Sequence, residues 1–143
     1  YWIGSEPPPE ELDRIYAISN TAYDLLQKKA KVGVSVSEVK HSLTEYYIKH
    51  KLWETHHFIG GYELGIAFPP DWVGEFIFDL YIDDNSSYFD ASTVTTFENI
   101  LATGLKSGLG ACGDILAFNS DTILYTEENT TKLSKIPLIL NVI

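Results

Sequence analysis

The chain of 143 residues is predicted to form an α+β domain, in which two long helices come first and an antiparallel sheet follows. Apolar residues recur at helical spacing in the first third of the sequence, behind two helix-start signals. From residue 53 onward the pattern changes to short apolar runs separated by glycine, proline and polar turns. Helices followed by strands, without alternation, favour helices packed against an antiparallel sheet.

The first helix is predicted over residues 9 to 30. Prolines 7 to 9 are followed by Glu10 and Glu11. Proline suits the first turn of a helix, and acidic residues are favourable near the positive end of the helix dipole. Residues that can form one buried face then follow at helical spacing: Leu12, Ile15, Tyr16, Ser19, Ala22, Tyr23 and Leu26. The sequence therefore predicts a long amphipathic helix.

The second helix is predicted over residues 36 to 51. Ser35 and Glu38 have the spacing of a capping box, in which each side chain binds a free backbone amide of the other residue. The predicted buried face consists of Val39, Leu43, Leu52 and one of the pair Tyr46 and Tyr47.

The second half of the chain is predicted to be built from strands. Gly60-Gly61 is interpreted as a turn, and residues 104–113 as a glycine-rich connection. The strand-like segments are 76–82, 93–98, 114–118, 122–126 and 139–142, with polar turns at 83–87 and 127–129.

The composition argues against two kinds of partner, nucleic acids and membranes. The net charge is −10 and the isoelectric point about 4.6. An acidic surface repels phosphate backbones, so we expect no nucleic-acid partner. Cys112 is the single cysteine, which excludes an internal disulfide and fits a cytoplasmic location. No apolar run approaches the ~20 residues of a transmembrane helix, so no membrane partner is expected.

Three stretches, in matching order and spacing, resemble the second half of a pita-bread domain, the fold of creatinase, aminopeptidase P, methionine aminopeptidase and ectoine hydrolase. Ile3-Gly4 and residues 8–11 lead into a long helix. This helix ends in the turn Lys-Val-Gly-Val-Ser at 31–35, where the family usually has proline in place of Val32. Residues 61–72 read Gly-Tyr-Glu-Leu-Gly-Ile-Ala-Phe-Pro-Pro-Asp-Trp, which resembles the ectoine hydrolase-like branch. Residues 121–137 resemble the closing hairpin. The resemblance implies two long helices packed on a curved antiparallel sheet.

The resemblance also implies where a metal site would lie. Metal-dependent members hold two divalent ions with two Asp, one His and two Glu. The Asp positions lie upstream of the matched segment, the His position matches Tyr62, and the Glu positions match Glu98 and Ser120. Strand alternation is expected to point Asp121 to the opposite face from Ser120. Because one ligand of five remains, we expect no bound metal and no other cofactor.

Creatinase and ectoine hydrolase work without metal, and the resemblance implies a proton-transfer role for a carboxylate here. Glu98 is the predicted catalytic residue, and its alternative is an exposed residue on a two-sided strand. Tyr62 is predicted to bind substrate by a hydrogen bond, or else to pack beneath the sheet. His57 and His56 precede Gly60-Gly61 and are predicted substrate contacts, with a solvated loop histidine as the alternative.

Two functions follow from this resemblance. The first is a hydrolase, nearest the ectoine hydrolase branch, that cleaves a C–N bond in a small amide, cyclic amidine or short peptide and forms a homodimer. The second is a catalytically dead pseudo-hydrolase that serves as a binding or dimerisation module, because Ser120 replaces a carboxylate. The strand-like opening at Tyr1 leads us to expect an upstream half in the intact protein. We expect activity from the intact protein and none from residues 1–143 alone.

Overall fold

The architecture, taken from a computed structural model, is two α-helices packed on a five-stranded antiparallel sheet. The structure describes residues 5–65, 73–82, 85–106, 114–137 and 139–140. Helices α1 and α2 span Glu10–Lys29 and Val36–Lys49, and a short 3-10 helix spans Trp53–Thr55. The strands are β1 His56–Leu64, β2 Val73–Asp79, β3 Val94–Lys106, β4 Asp114–Tyr125 and β5 Thr130–Lys132. The predicted α+β class is confirmed.

Both helices begin where the sequence signals place them. Helix α1 starts directly after Pro9, and each of its ends lies one residue inside the predicted bounds. At the start of α2 the Ser35 hydroxyl accepts a hydrogen bond of 3.2 Å from the backbone N–H of Glu38, which is one of the two bonds of the predicted capping box. Helix α2 ends two residues earlier than predicted, because Lys51 adopts a left-handed conformation with φ of 59°.

The helices bury most of the residues that their periodicity predicts, but Tyr16 is only half-buried and the buried Ile18 was not predicted. The buried residues of α1 are Leu12, Ile15, Ile18, Ser19, Ala22, Tyr23 and Leu26. Those of α2 are Val36, Val39, Leu43 and Tyr47. Tyr47, rather than Tyr46, is thus the buried member of the tyrosine pair. No helix in the described ranges is long and apolar enough to cross a membrane.

The sheet has the strand order β2-β1-β3-β4-β5, and every neighbouring pair is antiparallel. The two longest strands, β3 and β4, pair from Val94 opposite Leu124 to Lys106 opposite Asp114. The helices cover one face of the sheet, which we call the helix face. The opposite face, the open face, carries no helix in the described part of the chain and exposes several large apolar side chains.

The core lies between the helices and the helix face. The Tyr23 and Phe97 rings meet edge to face with centroids 4.8 Å apart. The buried Tyr23 hydroxyl donates a hydrogen bond to the Phe97 carbonyl oxygen, and the Tyr47 hydroxyl donates one to the Asn99 side chain. Burial raises the pKa of Tyr23 and of Tyr47, so both phenols stay protonated at neutral pH. Helix side chains thus hold strand β3 on either side of Glu98.

Several strand boundaries differ from the sequence predictions. Segments 114–118 and 122–126, predicted as two strands, form the single strand β4, because its long partner β3 offers a continuous ladder. Strand β1 was not predicted as a strand. The strand predicted at 139–142 is absent at residues 139 and 140, and the rest of that segment lies outside the described residues.

The Gly60-Gly61 pair lies within strand β1, so the predicted turn is wrong. A Cβ on Gly61 would collide with the Thr96 carbonyl oxygen and with the Phe78 ring. A Cβ on Gly60 would collide with the Phe78 carbonyl oxygen. Close approach of the neighbouring strands, rather than turn geometry, requires glycine at these positions.

Candidate active site

The open face brings together the three residues that match ligand positions in the resemblance. In the register of the sheet, Gly60 on β1 lies opposite Glu98 on β3, and Glu98 lies opposite Ser120 on β4. Tyr62 is two residues beyond Gly60 on the same strand, and therefore on the same face. Residues far apart in sequence thus converge on one carboxylate.

A shared oxygen joins the three side chains. The Tyr62 hydroxyl donates a hydrogen bond of 2.9 Å to Oε1 of Glu98. The Ser120 hydroxyl lies 3.4 Å from the same oxygen and donates to it more weakly. Both Tyr62 and Glu98 are half-buried, and Ser120 is exposed. The other carboxylate oxygen, Oε2, has no hydrogen-bond partner among the described residues.

The phenol of Tyr62 is a proton donor at this site. Partial burial raises its pKa, and the hydrogen bond to Glu98 and the negative charge of Glu98 raise it further. The phenol therefore remains protonated well above neutral pH. The alternative in which Tyr62 packs beneath the sheet is wrong, because its hydroxyl lies against Glu98 on the open face.

The structure does not bring the two histidines to Glu98. His56 begins β1, four residues from Gly60, or roughly 13 Å along the strand. Its ring stacks on Trp53 at 4.2 Å and lies 4.6 Å from Tyr81, while Nδ1 is bonded to the Trp53 carbonyl oxygen. Its aromatic neighbours give His56 a packing role. His57 is exposed on the strand and has no recorded contact with Glu98 in the described ranges.

Asp121 occupies the helix face, as strand alternation predicts. Its side chain is 5% exposed and forms an ion pair of 3.1 Å with Lys132. Lys132 also donates hydrogen bonds to the carbonyl oxygens of Ser134 and Ile136. This pair fastens the segment after β5 to the sheet, and Asp121 cannot serve as a substitute for the carboxylate missing at Ser120.

The residues present do not fit a pair of divalent metal ions. Such ions require several converging anionic or imidazole ligands. Here Tyr62 and Ser120 are neutral, and both direct their protons at the one carboxylate, Glu98. No group of three or more His, Cys, Asp or Glu side chains suited to a metal occurs among the described residues.

Asp79 is an acidic neighbour of the site that sequence reasoning missed. It lies at the end of β2, opposite Gly60, and so in the same cross-strand row as Glu98. In the sequence Asp79 lies in the middle of the apolar run 76–82, which is predicted as one strand, so nothing marked it as a residue of the site. The pairing of β2 with β1 reveals the placement. The motif residues Pro69, Pro70, Asp71 and Trp72 lie outside the described residues.

Solved structures of other proteins match this chain over nearly its whole length. An X-Pro aminopeptidase from Thermotoga maritima matches with a TM-score of 0.74 and 17% identity, over 99% of this chain and 36% of its own. The dipeptidase PepE from Mycobacterium ulcerans matches with a TM-score of 0.76 and 17% identity, over 99% of this chain and 34% of its own. The chain has the pita-bread fold. It corresponds to the carboxyl-terminal part of these proteins and spans about a third of their length.

The fold also occurs in a subunit of the FACT complex. The N-terminal domain of the FACT complex subunit SPT16 from Eremothecium gossypii matches with a TM-score of 0.68 and 15% identity, over 93% of this chain and 28% of its own. Neither a protein-family model nor a curated protein sequence matches the chain. At these identities the structural likeness establishes the fold, and the chemistry must be argued from the site.

Proposed function

We propose that the chain is part of a hydrolase of C–N bonds in small amides, cyclic amidines or short peptides, nearest the ectoine hydrolase-like branch, in which Glu98 moves the proton. The observation that carries the proposal is the carboxylate of Glu98, half-buried on the open face and held through one oxygen by Tyr62 and Ser120. A fixed carboxylate whose second oxygen has no hydrogen-bond partner among the described residues suits general acid–base chemistry. The aminopeptidase and dipeptidase neighbours support the reaction class.

The proposed reaction needs one proton acceptor and one hydrogen-bond donor. Oε2 of Glu98 takes a proton from a water molecule as its oxygen bonds to the carbonyl or amidine carbon. The same proton then passes to the leaving nitrogen as the C–N bond breaks, so the carboxylate is regenerated. To donate a hydrogen bond to the charge that develops on the substrate, the Tyr62 hydroxyl, protonated because its pKa is raised, turns its single proton away from Oε1 of Glu98 and towards the substrate.

No step of the proposed reaction runs through a metal ion. At two positions where metal-dependent members have ligand atoms, Tyr62 and Ser120 carry hydroxyl groups. These hydroxyls donate hydrogen bonds, so they stabilise a carboxylate rather than a cation. We propose that the protein is cytoplasmic and that it acts, as a homodimer, on small molecules or short peptides. Neither a nucleic acid nor a membrane is a proposed partner.

The test is turnover by the protein encoded by the complete reading frame. The substrate panel contains ectoine, creatine and Xaa-Pro dipeptides, and release of the amine is measured. Glu98→Gln is expected to lower turnover by 100-fold or more, in the range that general acid–base groups contribute. The matched control Asp24→Asn changes an exposed carboxylate on α1 and should leave turnover unchanged. Full activity of Glu98→Gln would remove Glu98 from the reaction.

A second candidate function is a catalytically dead binding or dimerisation module. Ser120 at a carboxylate position favours it, and so does the occurrence of the fold in a FACT complex subunit. The coding sequence upstream of residue 1 discriminates the two. Acidic and histidine residues in an intact upstream half favour the hydrolase, and a start codon just before residue 1 favours the binding module.

A further inference from the structure

Thr96 on β3 lies next to both members of the Tyr62–Glu98 pair. Gly60 lies opposite Glu98, and the same register, continued by two residues, places Tyr62 opposite Thr96. Thr96 is two residues before Glu98 on the same strand, so its side chain lies on the open face. It is nevertheless only 8% exposed. Thr96 therefore supplies a buried hydroxyl in the immediate surroundings of the candidate site.

The Thr96 side chain joins strand β3 to Tyr62. The backbone N–H of Tyr62 donates a hydrogen bond of 3.2 Å to Oγ1 of Thr96. A hydroxyl that accepts one hydrogen bond keeps its own proton to donate. Burial, the hydrogen bond to Glu98 and the charge of Glu98 raise the pKa of the Tyr62 phenol, whereas a hydrogen bond with the Thr96 side chain lowers it. A hydrogen bond lowers the pKa of a phenol when the phenol oxygen accepts it, so Thr96 supports Tyr62 at the backbone and at the phenol.

Two features fix the position of the Thr96 hydroxyl. Threonine is branched at Cβ, so few rotamers are open to its side chain in a packed strand. Strand β1 also approaches Thr96 closely, because the neighbouring Gly61 has no Cβ, which would meet the Thr96 carbonyl oxygen. The hydroxyl is therefore a rigid support for Tyr62 rather than a mobile surface group.

We propose that Thr96 is a positioning residue of the Glu98 site, whose hydroxyl fixes the backbone of Tyr62 and holds the phenol oxygen beside Oε1 of Glu98. The inference rests on the proposed function and adds to it the support of the Tyr62 hydroxyl. In the proposed reaction the Tyr62 proton turns from Glu98 towards the substrate. Thr96 keeps the phenol oxygen in place during this turn, because it donates to that oxygen and does not compete for the phenol proton.

The experiment compares three variants of the protein encoded by the complete reading frame. Thr96→Val keeps the shape of the side chain and removes its hydroxyl, whereas Thr96→Ser keeps the hydroxyl. The matched control, Thr122→Val, makes the same change at the residue opposite Thr96 on β4. The measurements are hydrogen exchange at the Tyr62 amide, the pKa of Tyr62 from 13C NMR at Cζ, and kcat and KM on the substrate panel.

The expected result is a loss in Thr96→Val that Thr96→Ser repairs. The Tyr62 amide should exchange about tenfold faster in Thr96→Val, because its acceptor is lost. The acid dissociation constant of the Tyr62 phenol should become about threefold to fivefold smaller, as expected for the loss of one hydrogen bond. The value of kcat should fall about tenfold while KM stays within about twofold, because an interaction of the reacting state is weakened. Thr96→Ser should restore all these values, and Thr122→Val should change none of them.

A merely structural role of Thr96 gives a different result. If Thr96→Val only loosened the sheet, water would reach Tyr62 and its pKa would fall, because burial is the largest cause of the raised value. A lowered or unchanged Tyr62 pKa in Thr96→Val overturns the inference, and so does a pKa that Thr96→Ser does not restore. Equal effects of Thr122→Val overturn it as well. Fast exchange of the Tyr62 amide in the unchanged protein would overturn it without any variant.

The inference and the proposed function fail separately. If Glu98→Gln lowers turnover while Thr96→Val leaves the Tyr62 pKa unchanged, the hydrolase proposal stands and the role of Thr96 is wrong. If Thr96→Val raises the Tyr62 pKa while Glu98→Gln keeps full turnover, Thr96 positions Tyr62 and the proposed chemistry is wrong.

Discussion

Tyr62 and Glu98, on adjacent strands and 36 residues apart in sequence, are joined by a hydrogen bond of 2.9 Å from the phenol to the carboxylate. The contact places a proton donor against the single acid of the pita-bread ligand set that remains in this chain. A carboxylate whose Oε1 accepts hydrogen bonds from the Tyr62 and Ser120 hydroxyls is held in place for proton transfer at its other oxygen, Oε2. The five predictions that follow test this site and the sheet that holds it.

The first prediction concerns the acidity of Tyr62. Its pKa is raised by burial, by the hydrogen bond to Glu98 and by the charge of Glu98. Glu98→Gln removes the charge and keeps the burial, so the pKa of Tyr62 should fall while staying above the ordinary value of about 10. Tyrosine labelled with 13C at Cζ reports this by NMR, and Tyr62→Phe assigns the signal. The exposed control Glu45→Gln should leave the titration unchanged, and an unshifted Tyr62 in Glu98→Gln would contradict the contact.

The second prediction is that the folded protein becomes less stable at high pH. Because the folded protein binds the Tyr62, Tyr23 and Tyr47 protons more tightly than the unfolded chain does, the stabilisation is complete below about pH 10. It is lost as the pH rises from about 10 through the raised pKa values. The urea midpoint of unfolding should therefore fall above about pH 10. A midpoint that rises or stays flat above that pH would contradict the raised pKa values of these phenols.

The third prediction separates two glycines of one segment. Gly61→Ala should destabilise the fold by about 3 kcal/mol or more, since its Cβ would meet the Thr96 carbonyl oxygen and the Phe78 ring. Gly65→Ala should be close to neutral, because no atom of the described residues lies within 4 Å of the added carbon. Urea unfolding followed by circular dichroism measures both. Equal stability of the two variants would contradict the strand register at Gly61.

The fourth prediction tests the ion pair between Lys132 and Asp121. Lys132→Met leaves a carboxylate of 5% exposure without its cation and should cost about 2–3 kcal/mol of unfolding free energy. The double variant Lys132→Met with Asp121→Asn removes the unpaired charge as well, and should recover part of that loss. Thermal unfolding of the single and double variants gives the coupling. A double variant less stable than Lys132→Met alone would show that the charge is not the source of the cost.

Metal content is an independent check on the site. Since Tyr62 and Ser120 are neutral and bonded to Glu98, elemental analysis of the purified protein should find no stoichiometric metal. Incubation with manganese or cobalt ions should not raise the thermal unfolding temperature, because an ion that binds only the folded state would raise it. Two bound ions per chain would contradict the ligand assignment.

The helices of this protein could be predicted from the sequence, because local interactions decide them. Proline and acid at the start of α1, and the Ser35 cap of α2, act within a few residues of the helix end. The buried face repeats every three or four residues and reads directly from the order of apolar side chains. The residue types of the site, a tyrosine and a serine around Glu98, also followed from the sequence and its resemblance.

The strand pairing, and with it the site, was decided only by the tertiary structure. Strand register depends on partners tens of residues away, and no local pattern specifies which residue faces Glu98. That pairing made β4 one strand, set Gly60 inside β1, moved Asp79 into the row of Glu98, and left His56 stacked on Trp53. A carboxylate acquires its chemistry from the groups within hydrogen-bond reach, and here those groups come from separate strands.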